Sequence, residues 1–177
     1  MGGFSEHRSS SRMSFRAKLD TDSLVPIWRT LRSLPGGRWL FSRLVGRMAP
    51  YSGSIRSTVI ELEPGCARVE LKDRRLVRNH LNSVHAIALA NLGELTSGLA
   101  VMSTLPPGSR GIITGLSMEY FKKARGRLLA KSTCPVHLQQ ALTEDIETTV
   151  VCHIRNTECD EVARARVQWR LGPIPQR

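Results

Sequence analysis

The sequence predicts an α+β protein: an antiparallel sheet wrapped around one long central helix, with two shorter helices ahead of it. Three observations predict it. Apolar and polar residues alternate in several short segments, the pattern of half-buried strands. Short turns separate some of these segments, and strands joined that way pair antiparallel. One segment, Ser83–Met102, is helical in period and apolar on nearly every side. Such a helix must be buried on nearly every side, and a sheet curled around it does this with the fewest elements.

Residues 1–20 are Ser- and Arg-rich with no apolar period, and read as a disordered extension. Residues 21–50 read as a helical cap. In it, Ser23 is the expected N-cap of a helix carrying Leu24, Trp28, Leu31 and Leu34, stopped by Pro35-Gly36-Gly37. A second helix is expected over Arg38–Met48, with Leu40, Leu44 and Met48 on one face and Arg43 and Arg47 on another; Pro50 ends it. The period then becomes two. Strands are expected at 55–63 and, after the Pro64-Gly65 turn, at 66–72. The long helix follows and breaks at Leu105-Pro106-Pro107-Gly108. Further strands are expected at 111–121, 127–138 and 146–155, and over Ala163–Leu171. Residues 51–173 thus form the main domain.

Composition narrows the function. The 177 residues carry 26 Lys+Arg against 15 Asp+Glu, a net charge of +11. The excess is dispersed, no run of five like charges occurs, and residues 131–177 balance to zero, which argues against a nucleic-acid tail. Few aromatics are present to stack on single-stranded bases. No apolar run is long enough to span a bilayer. The four cysteines include no CxxC pair, and His137 and His153 lack metal-ligand spacing, so neither metal nor cofactor is expected. The expectation is a soluble cytoplasmic protein, although Arg8, Arg12 and Arg16 with few acids also fit an organelle transit peptide.

The chemistry-bearing segment is Asn79–Ser109, whose single formal charge is Glu94. Burying a lone carboxylate is costly and raises its pKa, and such groups cluster at functional sites. Asn79, His80, Asn82, Ser83 and His85 precede or open the helix, with Ser83 or Asn82 the expected N-cap. Free amides around His85, Ala86 and Ile87 offer an oxyanion site. His85 and Glu94 are nine residues apart, which puts them on opposite sides of the helix and about 13 Å apart along it. They form no dyad within one chain. A site using both must take the helix start from one subunit and Glu94 from another.

The stretch RNHLNSVHAIALANLGELTSG resembles the signature of hotdog-fold thioesterases of the phenylacetate-pathway (PaaI) type. Asn79, five residues, His85 and a carboxylate nine residues later, Glu94, match that pattern in type and spacing. The order of elements over 51–171 and the segment GIITGLSMEYFKKARG also resemble a hotdog domain, closest to a poorly characterised branch. The resemblance implies a homodimer, or a dimer of dimers, hydrolysing acyl-CoA or acyl-carrier thioesters. Glu94 would be general base or nucleophile, Asn79 would position water or substrate, and the Ala86 amide would polarise the thioester carbonyl. Two departures stand out. The family's two glycines after the histidine are here Ala86 and Ile87. The strand hydroxyl of some relatives is replaced by Ile113, with Thr114 beside it facing the other side of a regular strand.

Lys122, Lys123, Arg125 and Arg127 form a basic cluster that, in this fold, suits the phosphates of coenzyme A. Arg74, Arg75 and Arg78 are a second set. Two other functions stay open: a non-catalytic acyl-CoA-binding module, because of Ala86 and Ile87, and an anionic-membrane or nucleic-acid binder, because of the charge.

Overall fold

The computed structural model describes residues 23–136 and 142–175. The extension expected at 1–20 lies outside them. Helices α1 (Leu24–Arg32), α2 (Gly37–Met48) and α3 (Pro50–Gly53) come first, then β1 (Thr58–Glu63) and β2 (Cys66–Lys72). A 3-10 turn over Arg75–Val77 leads to α4 (Ala86–Met102). The chain ends in β3 (Ser109–Tyr120), β4 (Arg127–Thr133), β5 (Ile146–Arg155) and β6 (Glu161–Pro173).

The six strands form one antiparallel sheet in the order β1-β2-β4-β5-β6-β3. Alternation decides which face of each strand meets α4. On β2, Ala67, Val69 and Leu71 are buried, and on β6 Ala163, Ala165, Val167, Trp169 and Leu171 are. Helix α4 lies across all six strands. It comes closest at Gly93, where an added Cβ would stand 2.5 Å from the Cβ of Ala165. Only a glycine lets the helix axis sit this deep in the curl. Leu89, Leu92, Leu99, Ala100 and Val101 fill the space on either side.

The cap packs on the β1 edge. The Trp28 and Phe41 rings meet edge to face at 5.1 Å. The Ser42 hydroxyl of α2 accepts the Val59 amide of β1 at 2.8 Å, and Arg29 and Arg32 reach Glu63. Here the structure corrects the expected faces. Helix α2 buries Gly37, Phe41 and Val45, while Leu40 and Met48 are exposed. Phe41 wins the buried face because it completes the pair with Trp28. The short helix α3 was not expected; it occupies residues before β1, which begins at Thr58 rather than 55. Among the described residues no helix is long and apolar enough to cross a membrane.

Candidate active site

The start of α4 is built by the loop before it. Arg78 and Val84 form a β-bridge, the Val84 amide donates to Ala124, and the His85 amide donates to Val77. These bonds hold residues 84 and 85 extended, so the helix begins at Ala86 and His85, not Ser83 or Asn82, is its N-cap. The Ser83 hydroxyl is spent on the Ala124 carbonyl at 2.9 Å, and Asn82 takes a left-handed φ of 52°. His85 Nδ1 accepts the Ile87 amide at 3.1 Å, which makes that nitrogen the unprotonated one. The Leu89 amide returns to the His85 carbonyl. Among the described residues the amides of Ala86 and Ala88 have no acceptor.

Asn79 Oδ1 accepts the amides of Leu81 and Ser83 at 3.0 and 3.2 Å, so this side chain fixes the loop. Ile87 is 57% exposed and does not turn into the core. The Tyr120 hydroxyl donates to the Ala86 carbonyl at 3.2 Å. Burial raises the pKa of that phenol. The end of β3 therefore lies against the helix start.

Glu94 is half-buried on the side of α4 that faces the cap. The Ser52 hydroxyl of α3 donates to its carboxylate at 3.0 Å. Burial pushes its pKa above the ordinary 4.5, and the Ser52 bond offsets only part of that. One turn earlier, Asn91 Nδ2 donates to the Tyr51 carbonyl at 3.1 Å, while its buried Oδ1 has no partner among the described residues. Ser52 and Leu95 also line a cavity of about 580 Å³ between α2, α3 and β1. Ser52, Asn91 and Tyr120 were missed by sequence reasoning. Asn91 and Tyr120 lie within the quoted stretches but at none of the positions that carry the resemblance, and only the docking of α3 and β3 on α4 brings Ser52 and Tyr120 to the site.

Within one chain, Glu94 meets Ser52 and neither Asn79 nor His85. Thr114 sits at a β-bulge, where the pairing of β3 with β6 slips between Ile113 and Gly115. At this bulge Thr114 is not bound to the side opposite Ile113 that a regular strand would give it. The basic cluster is partly spent: Lys122 pairs with Asp160 at 2.9 Å and Arg127 with Glu70 at 3.3 Å. Arg125 donates to the carbonyls of Asn82 and Leu81, and Lys123 is exposed. Among the described residues no group of three His, Cys, Asp or Glu side chains is arranged to hold a metal ion.

Comparison with known proteins agrees with this architecture. The model of the family described as "Domain of unknown function (DUF4442)" matches residues 37–171. A structural-genomics protein, APC5556, is 30% identical, with a TM-score of 0.70 over 85% of this chain and 98% of its own. A protein of unknown function from Pseudomonas aeruginosa, described as a probable thioesterase, is 18% identical, with a TM-score of 0.69 over 80% and 97%. A thioesterase mutant from Staphylococcus aureus subsp. aureus Mu50 is 14% identical, with a TM-score of 0.60 over 70% and 99%. No curated protein matches the sequence. The shared fold, a sheet wrapped around one long helix, is the hotdog fold of thioesterase-family proteins.

Proposed function

Because the chain belongs to the DUF4442 family and has the hotdog fold, we propose that it hydrolyses acyl thioesters, of coenzyme A or an acyl carrier, at a site shared by two copies of the chain. The observation that carries this is Glu94. It is the one carboxylate on an otherwise uncharged helix, half-buried, with a raised pKa and a hydroxyl to orient it.

In this reading Glu94 takes a proton from water, and the hydroxide attacks the thioester carbonyl. The oxyanion that forms is met by the free Ala86 amide of the other copy, at the positive end of α4. Collapse expels the thiolate, which takes the proton back from Glu94. The Asn91 Oδ1, one turn from Glu94, offers the attacking water a second acceptor. Asn79 and His85 hold the helix start in place.

The two-copy site is supported by the outer edge of β3. Among the described residues that strand pairs only with β6, and Ile112, Leu116 and Tyr120 are half-exposed along it. Its Tyr120 end touches Ala86, so a second copy adding there comes close to the helix start. The exposed Ile87 side chain beside the Ala86 amide favours a second reading, an acyl-CoA binder that does not turn over.

A screen of acyl-CoA chain lengths tests both. Hydrolysis is expected for some chain length, and Glu94→Gln should lower kcat by about 10²–10⁴-fold while leaving the oligomer intact. Full activity in Glu94→Gln would sink the mechanism. Tight binding without turnover at every length selects the binder.

A further inference from the structure

The cavity between α2, α3 and β1 is lined by Trp39, Arg43, Arg47, Ser52, Arg56 and Leu95, among others. Three of these are arginines without an acidic partner among the described residues. The local sequence explains why. Residues 23–60 hold six arginines and no Asp or Glu. Arg29 and Arg32 reach forward to Glu63, but the arginines of the cavity have no such neighbour. Three like charges lining one cavity repel each other, and an anion bound there offsets that cost.

Arg56 adds an independent sign. Its φ is +48°, left-handed backbone that costs a residue with a Cβ and that glycine adopts freely. An arginine at a position where glycine is better suited keeps its place for what its side chain does. Trp39 is the third observation. It is 63% exposed, stands at the same cavity, and carries the Arg43 guanidinium 5.8 Å from its ring centre. The basic cluster near Lys122, by contrast, is mostly committed to Asp160, Glu70 and backbone carbonyls.

We propose that this cavity binds a phosphate group, held by Arg43, Arg47 and Arg56, with the apolar or aromatic part of its carrier against Trp39. Guanidinium groups fit phosphate in paired hydrogen bonds, and three of them match a doubly charged anion better than a single carboxylate. The carrier is either a soluble phosphate ester or the headgroup of an anionic lipid. The site does not depend on hydrolysis at Glu94.

Trp39 supplies the readout, because Trp28 and Trp169 are buried at 1% and 4% exposure. The emission of the full chain is titrated with inorganic phosphate, with coenzyme A, and with phosphatidylcholine vesicles with and without phosphatidylglycerol. A saturable change with inorganic phosphate is expected, and Trp39→Phe should abolish it. Arg47→Ala and Arg56→Gly should each weaken binding about tenfold or more, the loss of one charged hydrogen bond. Arg56→Gly should meanwhile melt no lower than the wild type, since glycine relieves the backbone, so its weaker binding is not unfolding. Tighter binding of coenzyme A than of phosphate identifies a soluble ester; tighter binding of phosphatidylglycerol vesicles identifies a headgroup. No saturable response to any of the three, or wild-type affinity in both arginine variants, overturns the proposal.

Discussion

At the scale of the residue, Glu94 is costly to the fold. Its carboxyl ionises less readily in the folded chain than in water because burial strips its hydration. A raised acid pKa favours the folded state while the group is protonated. That contribution is complete below the unfolded pKa and is lost as pH rises through the folded one. Thermal melts should therefore show wild type losing stability relative to Glu94→Gln on going from mildly acidic to neutral pH. If the hydrolytic reading holds, activity should rise over that same interval, since the ionised form is the base. Opposite pH trends of stability and activity, both removed by one substitution, separate a working carboxylate from a structural one. A melting difference that does not change with pH would count against the raised pKa.

At the scale of the element, the cap and the start of α4 are each held by a few contacts. Phe41 locks α2 to α1 through Trp28 and is almost fully buried. Phe41→Ala should cost about 3–5 kcal/mol in urea unfolding, from lost transfer energy plus the cavity left behind. A cost near zero would mean that the cap is not part of the cooperative unit. Much of this element scale was legible in the sequence. The periods of 3.6 and 2 located α1, α2, α4 and all six strands, because burial on one face imposes them. The buried face of α2 was not legible. Leu40, Leu44 and Met48 have the same spacing as Gly37, Phe41 and Val45, and only contact with Trp28 separates the two sets. The N-cap was misread for a similar reason. Ser83 and Asn82 have the right chemistry, but the amides of Val84 and His85 are bonded to the carbonyls of Ala124 and Val77, outside the helix, so the first helical turn starts later.

At the scale of the whole molecule, the two sheet edges differ. The β1 edge is covered by α2, whose Ser42 satisfies the Val59 amide. The β3 edge has no such cover among the described residues, and an uncovered edge is a template for pairing. If two copies join there, Leu116→Glu should shift sedimentation from dimer to monomer and remove hydrolysis together with it. The substitution places one charge from each copy in the same seam, and the side chain is exposed enough in the single chain to leave the fold in place. A Leu116→Glu variant that stays dimeric would move the interface elsewhere.

The sequence by itself determined the architecture and singled out Glu94. Alternating patterns demand a half-buried sheet, an all-apolar helix demands a wrapping, and a lone charge in 31 residues marks itself. These are local properties of side chains, written in the order of the chain. Only the tertiary structure decided what surrounds that charge. Ser52 reaches Glu94 from 42 positions away, Tyr120 reaches Ala86 from 34, and Arg43, Arg47 and Arg56 come to line one cavity. Such neighbourhoods depend on how elements dock, through the close seat of Gly93 on Ala165 and the Trp28–Phe41 contact. No periodicity in a linear sequence records a docking geometry.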